Sequence, residues 1–258
     1  MEKINQTCWH TSNPGNDLDL TRYITITKMI NQYKFSATFF TGVTLFLFLG
    51  FFFTYFLNFS QFKWIHHAHG TLFFVWMFIM IAQPLLVVYH KQSIHRFIGK
   101  LSYFIFPLLL LSIHVVGKNG YHNILSTAGK EVATGGLSLS IANIPPLALL
   151  YFLAIKNRKI TALHMRYMIA ISVFLLGPGI GRAIIVLGQF PFPVGVSITN
   201  VVLAAVSGIL LVVDLVRSKP YKPYLIAFLL NLLMLLIWER QMDGWWQRIG
   251  EVYVNLFF

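Results

Sequence analysis

The chain has 258 residues, of which 57% are hydrophobic, 16% aromatic and only 11% charged. A soluble domain ordinarily carries about 25% charged residues, so this chain lacks the polar surface to cover a globule in water and falls in the membrane class. Its formal net charge of +12 comes without a basic helix or an aromatic-studded platform, which argues against nucleic acid as a partner and directs the basic residues to anionic lipid head groups.

Residues 1–34 are polar and mixed, and read as a cytoplasmic lead-in without a core of its own. They hold no early apolar stretch ahead of a small-residue cleavage site, so the first apolar run is expected to act as the insertion signal and to remain. The single cysteine, Cys8, excludes an intrachain disulfide, and Cys8-Trp9-His10 is not the C-x-x-C-H attachment of a c-type haem.

Crossing about 30 Å of hydrocarbon takes about 20 mostly apolar residues. Seven runs qualify: 37–57, 69–89, 96–117, 136–155, 166–188, 196–216 and 221–238. Their length and continuity predict helices, because a barrel strand alternates over about ten residues. The seventh is the shortest. Its apolar core, Leu225 to Trp238, reaches only about 21 Å at 1.5 Å per residue and calls on Tyr221 and Tyr224 as interfacial anchors. The expected fold is therefore an all-α polytopic bundle of seven transmembrane helices, with a membrane domain at 35–240. Residues 241–258 follow as an outer-surface segment with Trp245 and Trp246 in an aromatic belt.

Positive charge orients the bundle. Lys3, Arg22, Lys28, Lys34, Lys91, Arg96, Lys100, Lys156, Arg158, Lys159, Arg166, Arg217, Lys219 and Lys222 fall on one side, fourteen of the 20 Lys and Arg. Lys63, Lys118, Lys130, Arg240 and Arg248 fall on the other, with Arg182 inside a helix. The N-terminus is expected in the cytoplasm and the C-terminus outside, in a bacterial inner membrane. A weak internal echo joins 84–103 to 146–168; a tandem repeat of helix pairs and chance similarity of Leu-rich sequence both account for it.

This topology sorts the histidines. His66, His67 and His69 open the second helix on the outer side, and His114 closes the third on that side, with His122 beyond it. His90, His95 and His164 lie on the inner side. On the second helix His69, Trp76, Gln83 and His90 recur every seven residues, a stripe that drifts only about 20° per heptad and is expected to face the interior. Two chemistries fit. His66, His69 and His114 could supply three nitrogens to Zn or Cu. Alternatively, His69 with His114 and His95 with His164 could each hold a b-type haem. Against these stands the plain reading of imidazoles as polar rim groups that bind no cofactor. Arg182 lies deep in the fifth helix, where a charge costs at least about 2.5–3.5 kcal/mol, and should snorkel or pair with an anion. Gly177, Pro178, Gly179 and Gly181 loosen that helix or admit a close backbone. Asp214 reads as an inner-rim partner of Arg217. No phosphate loop, nucleophile elbow or H-E-x-x-H is present.

The segments HAHGTLFFVW…QPLL, SIHRFIGKLSY and ALHMRYMIAISVFLLGPGIGR together resemble a group of uncharacterised bacterial multi-pass membrane proteins. That group carries H-x-H-G…W…Q, L-H-R-x-x-G and H-K-R-L-M segments followed by a distal Arg. The resemblance places His67, His69, Gly70, Trp76, Gln83, His95, Arg96, Gly99, His164, Arg166 and Arg182 on motif positions. The third segment here is H-M-R-Y-M, which leaves Arg166 a less secure counterpart. It implies a shared fold and shared positions, and no activity. More loosely, the paired histidines are similar to those of dihaem b-type transmembrane cytochromes. The expected function is electron transfer through His-ligated haem, or redox or binding chemistry at an outer metal site, served by a redox or membrane-complex partner. The alternative is a cofactor-free transporter, small-molecule binder or assembly subunit.

Overall fold

The computed structural model describes residues 14–258, with side chains described at 31 and from 33 onward. Lys3 and Cys8 lie outside the described residues, as do the side chains of Arg22 and Lys28. Among the described residues the chain is helical throughout, with ten α-helices: α1 (Pro14–Phe52), α2 (Trp64–Val88), α3 (Gln92–Ala128), α4 (Lys130–Gly136), α5 (Ile144–Lys156), α6 (Thr161–Leu175), α7 (Gly177–Arg182), α8 (Phe192–Val216), α9 (Lys222–Glu239) and α10 (Gly244–Phe257). Seven helical segments are long and apolar enough to cross a membrane, within 33–52, 64–88, 92–128, 130–156, 161–187, 192–216 and 222–239. Each coincides with one predicted run, because twenty apolar residues in sequence leave the backbone no polar partner but itself.

Two spans are composite. The fourth joins α4 to α5 through two short 3-10 turns, 137–139 and 141–143, ahead of Pro145 and Pro146, whose rings cannot continue a helix already under way. The fifth runs from α6 through α7 into a π-helical turn at Ala183–Leu187. Pro178 removes a main-chain donor there, and the glycines on either side give room rather than rigidity. By contrast α3 is unbroken over 37 residues, about 55 Å at 1.5 Å per residue, which exceeds the hydrocarbon thickness.

Short connections make successive spans antiparallel, so the bundle has an N-terminal face and a C-terminal face, named for the chain terminus on each. Three connections close with a non-glycine residue in the left-handed region, His90 (φ 57°), Gln189 (φ 54°) and Ser218 (φ 49°). Each ends a span by turning the chain out of the helix. The fifth span lies at the centre: Tyr167 and Ile169 to Leu175 are all buried in α6. Large apolar side chains face outward instead at Leu49, Phe78, Phe104, Val201, Ile209 and Leu229. An apolar exterior of this extent suits contact with lipid tails. The chain ends on α10, which packs against α4 on the C-terminal face.

Candidate functional site

The stripe on α2 leads into the interior at three of its four positions. Trp76 is completely buried, its ring centroid 4.6 Å from Phe106 and 5.8 Å from Tyr151. Phe106 and Tyr151 are stacked at 4.2 Å. Ser102 donates its hydroxyl to the Gly99 carbonyl at 2.6 Å, so its oxygen is left to accept from the Tyr151 hydroxyl at 2.8 Å. One helical repeat further, Gln83 and His95 hold each other. The Gln83 side-chain amide donates to the His95 carbonyl, and His95 Nδ1 meets the Gln83 carbonyl, both at 3.3 Å. Among the described residues Trp76 Nε1 and Gln83 Oε1 are buried without a partner. His90, the fourth member, is exposed and lies beyond the end of α2 in its left-handed turn. Helical phase cannot extend past the last helical residue, and the stripe stops at Gln83.

On the N-terminal face His164 Nδ1 lies 2.8 Å from the carbonyl of Ala154. Ala154 is in the last turn of α5, where carbonyls lose their helical donors. His164 supplies the missing one. A carbonyl only accepts, so both His95 and His164 carry the proton on Nδ1, and the Nε2 lone pair of each is unengaged among the described residues. The two imidazoles lie within electrostatic reach of each other. Beside them Arg166 forms a two-point ion pair with Asp214 of α8: Nη2 donates to Oδ1 at 2.9 Å, Nε donates to Oδ2, and Nη1 donates to the Ala162 carbonyl at 3.0 Å. This corrects the expected pairing of Asp214 with Arg217, which is exposed. The same pair holds Arg166 largely inside the bundle. Asp214 needs a buried cation, and the fifth span packed beside it provides one.

The C-terminal face is arranged differently from the expected metal cluster. His69 Nδ1 donates to Ser112 Oγ at 2.8 Å, since the Ser112 hydroxyl is itself donated to the Leu109 carbonyl at 2.6 Å. Two residues along α3, His114 points elsewhere, because two residues in a helix turn about 200°. His114 Nδ1 meets the Tyr253 hydroxyl of α10 at 2.6 Å, among the rings of Phe257 and Phe258. The expected sandwich of His69 and His114 is therefore not assembled. Nor is the trio with His66: among the described residues no group of three His, Cys, Asp or Glu side chains stands where it could hold a metal ion. His67 is spent on the Tyr55 hydroxyl at 2.7 Å and packs on Phe59, and His122 is exposed.

Lys118 Nζ adds to the α10 dock by donating to the Phe258 carbonyl at 2.7 Å, and the Trp246 indole donates to the Thr134 carbonyl at 3.3 Å. Burial holds the Tyr253 hydroxyl above its ordinary value of 10.0, because the phenolate would lose its water. Tyr253 lies outside the apolar runs and the histidine clusters, and a helical period is what marks it. Trp246, Gly250, Tyr253 and Phe257 follow one another at spacings of four, three and four, the period of a helix face. That spacing was the available signal.

Arg182 is the remaining candidate. It lies on α7 with its guanidinium 4.0 Å from the centre of the Phe51 ring, and Nη1 donates to the Pro178 carbonyl at 3.1 Å. Its position follows from a close approach of backbones: a Cβ on Gly50 would come within 2.8 Å of the Gly179 Cα, and one on Gly179 within 2.8 Å of Leu47. Glycines at both places let α1 and α7 touch, which the loosened fifth helix foreshadowed. His69 lies within electrostatic reach of both Arg182 and His66.

These features define an all-helical chain with seven potential membrane spans, an aromatic interior and polar groups concentrated at its two ends. Comparison with family models, curated proteins and solved structures finds no match for it.

Proposed function

We propose that the protein is a multi-pass protein of the bacterial inner membrane that carries electrons through a b-type haem ligated by His95 and His164. The observation that carries this reading is the shared state of the two imidazoles. Each has its Nδ1 proton fastened to a main-chain carbonyl and its Nε2 lone pair free, which is the way metal-ligating histidines are commonly oriented. The number of donors favours haem over Zn or Cu. A porphyrin brings its own four equatorial nitrogens and asks the protein for two axial ones, whereas Zn or Cu needs at least three from the protein.

When bound, a haem iron supplies one-electron chemistry. The chain's own residues supply the rest. The Ala154 and Gln83 carbonyls fix both tautomers and both ring planes. Trp76, Phe106 and Tyr151 keep the interior dry and polarizable. Asp214 neutralises Arg166, so that the free cations near the pair are the exposed ones, Arg96 among them. With fourteen of 20 basic residues falling on its side of the chain's topology, the N-terminal face is assigned to the cytoplasm by the positive-inside rule, and the electron partner of this site is cytoplasmic. Replacing His95 or His164 singly by Ala should abolish haem retention in detergent-purified protein, while His114→Ala should leave it intact. Retention by both inner variants would overturn the assignment.

A second reading rests on a different observation. Trp76 Nε1 and Gln83 Oε1 are a buried donor and a buried acceptor without partners, and orphaned groups of this kind suit a small polar ligand. A cofactor-free binder or transporter built on this interior predicts colourless protein stabilised by such a ligand, and Trp76→Phe would remove that stabilisation.

A further inference from the structure

Among the described residues Arg182 has no acidic partner. Ion pairs among the described residues join Lys130 to Glu251, Arg166 to Asp214 and Arg240 to Asp243. Of the five N–H donors on the Arg182 guanidinium, one is engaged among the described residues, by the Pro178 carbonyl. The Phe51 ring packs against it, 4.0 Å from the guanidinium carbon to the ring centre. Arg182 is five residues from the end of its span at Leu187, and His69 is five residues from the start of its own at Trp64. Both therefore sit about 7.5 Å inside the ends of their spans on the C-terminal face at 1.5 Å per residue, at a common level in the bundle.

Two imidazoles complete the setting. His69 has its proton on Nδ1, held by Ser112, so Nε2 offers a lone pair. His66 Nδ1 is buried without a partner. A site that combines unspent cationic donors with an acceptor lone pair calls for a ligand bearing both negative oxygens and an O–H. A singly protonated phosphate has both on one phosphorus centre; a phosphodiester has the charge and lacks the P–O–H, and any hydroxyl on its head group lies several bonds from the charged oxygens.

We infer that Arg182, His69 and His66 form a site for a phosphomonoester group at the C-terminal face, with Arg182 taking the charged oxygens and His69 Nε2 accepting the P–O–H proton. The chemistry is common to a lipid phosphomonoester and to free inorganic phosphate. The site is independent of the haem proposed at the opposite face.

The test uses full-length protein stripped of lipid in a neutral detergent, followed by thermal unfolding. Additions are phosphatidic acid, phosphatidylglycerol or phosphatidylcholine in mixed micelles, and separately inorganic phosphate. Phosphatidic acid should raise the midpoint well above phosphatidylglycerol, and Arg182→Gln should abolish the shift. Arg248→Gln, which removes an exposed charge from the same face, should preserve it. A shift with inorganic phosphate alone would assign the site to the soluble ion; a shift with phosphatidic acid and none with phosphate would assign it to the lipid. Equal shifts from phosphatidic acid and phosphatidylglycerol, or a shift that survives Arg182→Gln, would overturn the inference. Native mass spectrometry of the unsubstituted protein decides the matter if Arg182→Gln does not fold: selective retention of phosphatidic acid over phosphatidylglycerol supports the site, and absence of selectivity overturns it.

Discussion

On the N-terminal face, His95 and His164 are fastened by main-chain carbonyls of neighbouring helices, twelve and ten residues away in sequence respectively. On the C-terminal face, His114 is fastened by the Tyr253 hydroxyl, 139 residues further along the chain. A carbonyl can only accept, so the first arrangement fixes the imidazole tautomer and leaves a defined lone pair. A hydroxyl can donate or accept, and the second arrangement works as a latch between two helices. Histidines at the ends of apolar runs look alike in sequence; what fastens them decides whether they are available for chemistry.

Four substitutions sharpen that contrast. The largest effect belongs to Asp214→Ala, which strands the Arg166 guanidinium in the bundle. Removing one member of a buried pair costs about 3–5 kcal/mol, to be read as a loss of stability in mixed-micelle denaturation. Arg217→Ala should change nothing, and equal losses from the two would contradict the pairing. Next comes the latch helix. A Cβ on Gly250 would run into the Thr134 side chain, so Gly250→Leu should weaken α10 docking by about 1–3 kcal/mol, the usual cost of overpacking. Limited proteolysis should then cut at residues 240–244 while the proposed site at His95 and His164 is unaffected.

Smaller still is Tyr253→Phe, worth about 1 kcal/mol for one hydrogen bond. It carries a pH signature whose sign follows from burial. The Tyr253 hydroxyl is raised above its ordinary 10.0, so its share of docking is fully present below pH 10.0 and is lost as pH rises through the higher folded value. Proteolytic release of α10 should therefore accelerate in alkali, and Tyr253→Phe should blunt that acceleration. The smallest effect is Lys130→Ala. Its bridge to Glu251 is solvent-exposed on both sides, and exposed pairs contribute little, so α10 should stay docked.

Much of the fold was legible because one rule dominates it: apolar runs of twenty residues become helices where no water can serve the backbone. The seven spans, the inward stripe at His69, Trp76 and Gln83, and the loosened fifth helix all follow from local pattern. The departures share a cause. Whether His114 faced His69 depended on a 200° rotation within α3 and on a terminal helix that was read as a surface belt. Whether Asp214 took Arg217 or Arg166 depended on which spans pack side by side. Charge spacing along one helix end favoured the near cation, and burial favoured the far one. Contacts between distant segments leave little trace in a single chain, except where a helical period such as that of Trp246, Gly250, Tyr253 and Phe257 announces a face in want of a partner.

The most direct test of the proposed haem is the reduced-minus-oxidised absorption spectrum of protein expressed with ample haem supply and purified in mild detergent. The account predicts a Soret band that sharpens and shifts on dithionite reduction, present in His114→Ala and absent from His95→Ala and His164→Ala. A featureless visible spectrum from folded protein would contradict it.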